Sequence, residues 1–414
     1  MSGRWIIGLA SGSSATGVSA CLAEFEGTGL ELQVQSAGVV HQPYARDLRD
    51  FVRITEASPP NDVSRACLLH RLLGEIFAAT ARQAADRASL SLQSVQCIGC
   101  PGHTLWHDAD GRFPSTLAVG MPAIVAERTG VTTLSDFRSR DVAAGGQGIS
   151  LDALPDYFLF RHMSESRLVL HLGGIASAVM LPAACRPGQV SGLEIGPCNL
   201  LLDGLMRHAT NGREDIDSGG KCGAQGHCLE ALLGKWLTHS FFARSAPKTL
   251  RRSSIDEEFI APGLDFARTH NSTVNDLICT GTQLIARSIG RALQECFRDC
   301  WPPDRLILTG GGTRNGLLRQ LLTQQLSVCC VDTVEQHGVP ADGRDALAAA
   351  ILAAMTLDGI AANLPRLSGA SGSRLLGSLT PGSSANWARC LSWMAAQTTL
   401  LPAALDSMAP AARV

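Results

Sequence analysis

Hydroxyl-bearing and glycine residues are concentrated in one short segment near the start of the chain. Residues 11–17 read SGSSATG and lie between two apolar runs. Backbone N–H groups and small hydroxyl side chains in a tight turn can surround phosphate oxygens, and glycine lets the backbone approach them closely. The segment is therefore a candidate phosphate-binding loop. A Ser/Gly hairpin turn without a ligand is the alternative.

Two further glycine clusters each end an apolar run. They are the pair at residues 173–174 and the triplet at residues 310–312, and the triplet is followed by Asn315 and by leucines at helical spacing. A helix that begins at a glycine turn presents free backbone N–H groups, a common geometry for anion or nucleotide binding. For each cluster taken alone, a tight turn is the alternative. The three sites together favour an actin-like nucleotide cleft over a Rossmann site, because no G-x-G-x-x-G motif lies in a βαβ unit.

Hydrophobic periodicity predicts the elements that must position these loops. A hairpin around the first loop, a helix over Ser64–Ala85 and later alternation of strands with helices are expected. Residues 211–226 are rich in Gly, Asp and Ser without periodicity, which is typical of a long surface loop or lid. The segment Ala385–Leu405 is compatible with one or two helices. The predicted strands are Trp5–Ala10, Val18–Phe25, Val95–Gly99, Arg167–Leu172 and Arg305–Thr309.

Composition limits the class of protein. The 414 residues carry 35 Lys and Arg against 37 Asp and Glu, so the formal charge of −2 argues against a surface for nucleic acid or anionic lipid. No apolar run reaches the ~18 residues of a membrane span, and Arg4 lies where a signal peptide would be apolar, so we expect a cytoplasmic protein. Cys97 and Cys100 have no second CxxC pair to complete a zinc site.

A series of motifs in a shared order resembles the anhydro-N-acetylmuramic acid kinase family, within the sugar-kinase, heat-shock-protein 70 and actin superfamily. The resemblance extends from about Ile7 to about Gly377. Its densest parts are SGSSATG at 11–17, GHTLWH at 102–107, DFRSRDVAAGGQG at 136–148, LGGIAS at 172–177, IGPCNLLLD at 195–203, GGGTRN at 310–315 and NLPRLSGA at 363–370.

The resemblance implies an α/β fold of two actin-like, ribonuclease H-like lobes with an interlobe cleft for nucleotide and sugar. The N-terminal lobe is expected at residues 1–132 plus about 364–382, and the C-terminal, nucleotide-binding lobe at 133–363. Residues 383–414 form a C-terminal extension without assigned chemistry. A homodimer is expected from the family alone.

The implied reaction is ATP-dependent phosphorylation of O6 of anhydro-N-acetylmuramic acid, with Mg²⁺, while water opens the 1,6-anhydro ring. The product is N-acetylmuramic acid 6-phosphate. Glu194 is implied as the catalytic base. Cofactor binding is implied for Gly12, Ser13, Ser14, Ala15, Thr16, Gly17, Val18, Ser19, Gly173, Gly174, Gly310, Gly311, Gly312 and Asn315, and substrate binding for His103, Asp136, Arg138, Arg140 and Asn199.

Several motif positions depart from the family pattern. Glu194 replaces an Asp, Thr16 replaces an Asp in the first loop, Ser19 replaces another acidic residue, and Thr249-Leu250-Arg251 replaces Ser-Thr-Gly. The longer Glu side chain moves a carboxylate by roughly 1 Å, and a shift of that size can cost about a hundredfold in rate. The alternatives are therefore a non-catalytic sugar- or nucleotide-binding protein and a kinase for a different anhydro-sugar.

Overall fold

The computed structural model describes residues 3–12, 14–57, 62–326 and 330–398. These residues form two compact units. The first comprises the described residues of Met1–Arg161, Arg186–Val190 and Val334–Val414, and the second comprises those of His162–Cys185 and Ser191–Thr333.

Thirteen strands form the sheets of the described chain. They are β1 Arg4–Ser11, β2 Gly17–Glu26, β3 Gln33–Pro43, β4 Val95–Cys100, β5 His103–Asp108, β6 Ser115–Val119, β7 Thr133–Ser135, β8 Arg167–Leu172, β9 Ile175–Leu181, β10 Ser191–Pro197, β11 Arg305–Thr309, β12 Val331–Thr333 and β13 Ser378–Thr380.

Sixteen α-helices accompany them. They are α1 Arg46–Ala57, α2 Val63–Arg87, α3 Pro122–Thr129, α4 Ser139–Ala143, α5 Ala153–Phe160, α6 Asn199–Ala209, α7 Lys221–Gln225, α8 Glu230–Leu237, α9 Ser240–Ala243, α10 Arg252–Ile255, α11 Ala261–Thr269, α12 Val274–Cys296, α13 Gly316–Gln325, α14 Arg344–Leu357, α15 Pro365–Ser368 and α16 Ser384–Thr398. A π-helical turn, Asp256–Ile260, joins α10 to α11.

The first unit is built on a six-stranded sheet with the order β13-β7-β4-β1-β2-β3. Strands β1, β2 and β3 are antiparallel, whereas β4 and β7 run parallel to β1. Ser11 pairs with Val18, which closes the hairpin around the first glycine loop. Helix α2 covers this sheet with Leu69, Leu73 and Phe77, all fully buried. The loop therefore projects from a rigid, well-packed hairpin.

The second unit repeats this plan with the order β10-β9-β8-β11-β12. Strands β8, β9 and β10 are antiparallel, and β11 and β12 run parallel to β8. Thr309 pairs with His171, so β8 and β11 end side by side and bring two glycine turns to the same sheet edge. The shared strand order confirms the predicted α/β fold of two actin-like lobes.

The unit boundaries differ from the predicted lobe boundaries at 132/133 and 363/364. Strand β7 pairs in parallel with β4, and α14 packs on β1 and β4, so residues on both sides of each predicted boundary share one core. The first part of the expected C-terminal extension, α16, also packs on β4 in the first unit. Its remaining residues, 399–414, lie outside the described residues.

Most predicted elements are confirmed, but one loop prediction is wrong in its second half. Residues 218–220 form a 3₁₀ turn and α7 follows directly, packed against α12. The Asp217 carboxylate accepts hydrogen bonds from the Cys222 and Gly223 N–H groups at 2.9 and 3.0 Å. A polar, aperiodic sequence is thus ordered by side-chain capping, which periodicity does not detect. No described helix combines the length and apolar character that crossing a bilayer requires.

Candidate active site

The turn between β1 and β2 presents small polar groups. Gly12 and Thr16 are exposed, and the Ser14 and Thr16 hydroxyls lie 3.4 Å apart. Ala15 is buried in the left-handed region at φ +51°, where its N–H donates to the Gly12 carbonyl at 3.0 Å. A backbone hydrogen bond therefore holds the turn, and the hydroxyls of the turn face outward. Ser13 lies outside the described residues.

The remaining predicted positions of this loop continue into β2. Gly17 pairs with Pro43, and Val18 is fully buried in the core of the first unit. The Ser19 hydroxyl lies 3.1 Å from His41 Nδ1 and is exposed with it. Gly17 and Val18 thus build the hairpin, and Ser19 adds a hydroxyl beside it.

A chain of four hydrogen-bonded side chains anchors the start of the turn. The Ser11 hydroxyl lies 2.8 Å from the Tyr44 hydroxyl and 3.1 Å from His103 Nδ1, and His103 Nε2 lies 2.8 Å from Glu56 Oε1. Burial raises the pKa of Tyr44 to about 12, so its hydroxyl remains a donor at neutral pH. His103 is 1% exposed and both ring nitrogens are engaged. Its contacts position the loop from beneath.

The segment 136–148 is held largely by its own contacts. Asp136 accepts hydrogen bonds from the Ser139 N–H and hydroxyl at 3.2 and 2.7 Å. Arg138 donates to the Gly148 carbonyl. The predicted polar groups Asp136 and Arg138 therefore fix the entry to α4 and the loop after it, whereas Arg140 is exposed and lines a cavity of the first unit.

Asp141 is the polar centre of this part of the first unit, a role that the sequence did not single out. Its fully buried carboxylate accepts hydrogen bonds from Asn363 Nδ2 and the Ser368 hydroxyl, both at 2.7 Å, and from the Gly148 N–H at 2.9 Å. The motifs at 136–148 and 363–370 thus meet through one carboxylate. The signal for this contact in the sequence was that both motifs are present.

In the second unit, the first glycine pair is locked to the start of α6. The Asn199 N–H donates to the Gly173 carbonyl at 3.0 Å, and the Cys198 N–H donates to the Gly174 carbonyl at 3.0 Å. The Asn199 side chain donates from Nδ2 to the Leu172 carbonyl at 2.9 Å. Asn199, predicted to bind substrate, therefore fixes the β8–β9 turn.

The glycine triplet packs directly on that turn. Gly310 has φ +87°, and a Cβ atom added there would lie 2.7 Å from the Leu172 carbonyl oxygen. A Cβ atom on Gly312 would lie 3.1 Å from Asn199 Oδ1, and one on Gly311 would lie 3.6 Å from Asn199 Nδ2. The two turns can touch only where side chains are absent. The two turns therefore present backbone atoms, and not side chains, to a ligand.

A fourth glycine turn, which the sequence interpretation missed, joins the cluster. A Cβ atom on Gly220, whose φ is +74°, would lie 2.1 Å from Asn315 Oδ1. That oxygen caps α13 by accepting the Leu318 N–H at 3.0 Å. The predicted cofactor residue Asn315 therefore acts at a helix N-terminus and contacts the Gly220 turn. The sequence SGGKCG carried the signal, but it was interpreted as a lid.

Glu194 lies on β10, and its carboxylate is held by the segment that follows α9. Oε1 accepts the Leu250 N–H at 2.9 Å, and the Thr249 hydroxyl lies 3.3 Å from both carboxylate oxygens. The side chain is partly buried, while Thr249 is 4% exposed. Two of the positions that depart from the expected pattern, 194 and 249–250, are thus in direct contact.

The described ranges contain no group of three or more His, Cys, Asp or Glu residues placed to hold a metal ion. Cys97 and Cys100 lie fully buried on β4. Burial raises the pKa of the Cys100 thiol to about 12 and that of Cys97 well above its usual value. Both thiols are therefore protonated at neutral pH.

A family model described as anhydro-N-acetylmuramic acid kinase matches residues 4–382. The chain belongs to this family. The kinase of this name from Gloeobacter violaceus is 36% identical over 384 residues, covering 91% of this chain and 98% of the relative. That of Caldanaerobacter subterraneus is 32% identical over 385 residues, covering 91% and 97%. This family consists of ATP-dependent phosphotransferases.

Two solved structures are also similar at low identity. A ROK family glucokinase from Streptomyces griseus in complex with glucose and AMPPNP has a TM-score of 0.37 and 12% identity, covering 84% of this chain and 98% of that chain. The activator of 2-hydroxyisocaproyl-CoA dehydratase from Clostridium difficile with bound ADPNP has a TM-score of 0.41 and 12% identity, covering 85% and 94%.

Proposed function

We propose that the protein converts anhydro-N-acetylmuramic acid, ATP and water to N-acetylmuramic acid 6-phosphate and ADP. Water attacks the anomeric carbon, the bond from that carbon to O6 breaks, and O6 takes the γ-phosphoryl group from ATP. The proton of the attacking water passes to Glu194 and then to solvent. Each bond that forms is matched by one that breaks, and no further reactant is needed.

The observation that carries the proposal is the fixed carboxylate of Glu194. A general base must be held in one orientation, because proton removal depends on hydrogen-bond distance to the attacking water. The Leu250 N–H and the Thr249 hydroxyl supply that restraint. Backbone and hydroxyl donors stabilise the charged form, which is the form that accepts a proton. The contact also offers a reason why Glu is accommodated where the family pattern has Asp.

We propose two sets of nucleotide contacts: the glycine turns of the second unit, and the β1–β2 turn of the first unit. The turns at Gly173, Gly220 and Gly310 present backbone without side chains, which suits a nucleotide lying against them. Among the described side chains of the β1–β2 turn, Ser14 and Thr16 supply neutral hydroxyl oxygens. Such a donor set fits Mg²⁺ carried mainly by nucleotide phosphates and waters. When bound, the metal would neutralise phosphate charge.

For the sugar, the contacts favour positioning roles for His103, Asp136 and Arg138, which hold the β1–β2 turn and the segment around α4. Asn199 acts in the same way on the Gly173 turn. The family resemblance also carries the proposals that the protein acts in the cytoplasm and forms a homodimer.

The test is a coupled assay of ATP consumption with anhydro-N-acetylmuramic acid, comparing wild type with Glu194→Gln. Turnover of the variant should fall by a factor of about 10²–10⁴ while sugar affinity measured by calorimetry is unchanged, because the amide keeps the shape but cannot take a proton. Glu230→Gln, at an exposed carboxylate, is the matched control. A fully active Glu194→Gln variant contradicts the assignment.

Two other outcomes would replace the proposal. Wild-type protein that binds ATP and sugar without phosphate transfer is a non-catalytic binding protein. A substrate panel in which an anhydro-sugar without the lactyl group is preferred identifies a different kinase. Glu194→Asp separates geometry from chemistry, since a faster variant shows that the wild-type carboxylate is slightly misplaced.

A further inference from the structure

The first unit contains a cavity of about 650 Å³ that none of the proposed chemistry uses. Its walls come from α4, the end of α14, the loop before β13 and the last turns of α16. The volume falls within the range of about 300–1,000 Å³ that small-molecule sites occupy. Size alone therefore permits a ligand as large as a sugar phosphate.

Helix α16, which completes the cavity, lies beyond residue 382, where the match to the family model ends. It is firmly docked on the first unit. Asn386 Oδ1 accepts the Thr132 N–H at 2.7 Å, and Asn386 Nδ2 donates to the Val95 and Gln96 carbonyls at 3.0 and 3.1 Å. Trp393 Nε1 donates to Asp358 at 2.9 Å. The wall formed by α16 is therefore a built feature of this chain.

Two arginines line the cavity without an acidic partner. Within the described ranges, the guanidinium of Arg140 makes no ion pair or hydrogen bond, and its side chain is exposed. Arg374 donates to the Ser373 carbonyl at 2.9 Å and to the Ser371 hydroxyl at 3.3 Å, which orients it but does not neutralise it. Both guanidinium groups border the same cavity, so an anion bound there can accept charge-assisted hydrogen bonds from them.

Among the residues that the structure describes, no Asp or Glu lines the cavity. The neighbouring Asp358 is occupied, because it accepts two short hydrogen bonds from Arg4 at 2.7 and 2.6 Å as well as the bond from Trp393. Leu375 and Met394 supply apolar surface, and the buried Gln397 supplies an amide. The cavity thus combines two guanidinium groups with apolar surface.

We propose that this cavity binds a small organic phosphate of about sugar-phosphate size. The charge of a phosphate group at neutral pH, about −1.5 to −2, matches the two guanidinium groups, which can each make paired hydrogen bonds to its oxygens. The carbon skeleton lies against the apolar wall. The ligand bridges α4, in the family-matched body, to α16, outside it. The site is independent of Glu194 and stands whether or not the proposed reaction does.

Isothermal titration calorimetry with glucose 6-phosphate, at constant ionic strength, tests the site. The full chain should bind this probe with a Kd on the order of 1 mM or tighter, and more tightly than inorganic phosphate by about tenfold, because inorganic phosphate does not reach the apolar wall. Arg140→Gln and Arg374→Gln should each weaken binding about tenfold or more, since each removes a charged donor. Arg87→Gln removes an exposed charge at the end of α2 and should bind as wild type.

The design keeps binding separate from folding, because Arg140 is exposed and its loss leaves no buried partner unpaired. Urea midpoints of all variants check this directly. Failure of wild type to bind glucose 6-phosphate overturns the proposal. So does binding that is the same in Arg140→Gln, Arg374→Gln and Arg87→Gln, which would place the probe elsewhere. Equal affinity for inorganic phosphate contradicts the role of the apolar wall.

Discussion

Replacing Gly220 by Ala tests whether the glycine turns of the second unit form one nucleotide-binding surface. Gly220 has φ +74°, and the added Cβ would lie 2.1 Å from Asn315 Oδ1. Gly212 is a matched control, because it also has φ +74° but has nothing within 4 Å of an added Cβ. In both variants, placing alanine in the left-handed conformation costs about 1–2 kcal/mol. Only Gly220→Ala must displace Asn315.

The expected difference in stability between the two variants follows from the role of Asn315 as the N-cap of α13. Its displacement breaks the cap of α13, in which Oδ1 accepts the Leu318 N–H at 3.0 Å. Loss of such a cap costs about 0.5–2 kcal/mol. Gly220→Ala should therefore be less stable than Gly212→Ala by about 1–2 kcal/mol, read from urea unfolding with unchanged slope.

The same pair of variants reports on nucleotide binding. Calorimetry with AMPPNP should show about tenfold weaker binding by Gly220→Ala, since 1.4 kcal/mol of disturbance corresponds to that factor. Gly212→Ala should remain close to wild type. Equal stabilities and equal AMPPNP affinities of the two variants would refute the assignment of Gly220 and Asn315 to the nucleotide surface.

Three further outcomes are expected. Thr249→Val should lower kcat about tenfold with little change in KM, whereas Thr249→Ser should restore kcat, because the hydroxyl helps to hold the Glu194 carboxylate in one orientation. Asp141→Asn should lower the free energy of unfolding by about 3 kcal/mol, since the amide cannot accept from all three donors, while Asp86→Asn should change it little. Because hydrogen bonds from His227 and Thr273 hold the pKa of Asp276 at about 2, its contribution to stability is complete above the unfolded-state pKa of about 4 and is lost as the pH falls towards 2.

Each of these has a result that would contradict it. For Thr249, a Ser variant as slow as the Val variant would show that the hydroxyl is not the cause. For Asp141, a urea midpoint equal to that of Asp86→Asn would show that the carboxylate is not central. For Asp276, an Asn variant should lose less stability than wild type as the pH falls from about 4 towards 2, and an identical pH dependence would remove the assigned role.

The motif order identified the family without coordinates, because glycine turns and short polar segments tolerate few substitutes where backbones approach closely. Five strands of the two large sheets, β1, β2, β4, β8 and β11, and helix α2 were also predicted, since apolar runs and periodicity report which residues each element buries. The structure within residues 211–226 was not predictable. Asp217 orders this segment by accepting hydrogen bonds from two backbone N–H groups, and no buried apolar face marks it in the sequence.

Side-chain roles within the candidate site depended on tertiary contacts. His103 and Asp136 are polar residues in the family motifs, and the resemblance implied substrate contact for both. In the structure, each is held by neighbours, His103 by Ser11 and Glu56 and Asp136 by Ser139. A residue type and its spacing state which bonds a side chain can make, but not which partner satisfies them.

The sequence by itself determined the family and, through that resemblance, the two-lobed α/β fold. It also located three of the four glycine turns, because these rest on local backbone requirements. Only the tertiary structure decided that Glu194 is restrained by Thr249 and Leu250, and that Arg140 and Arg374 line one cavity together with residues of α16. Such contacts join residues 55 or more positions apart. Chain folding sets these distances, and no local pattern in the sequence encodes them.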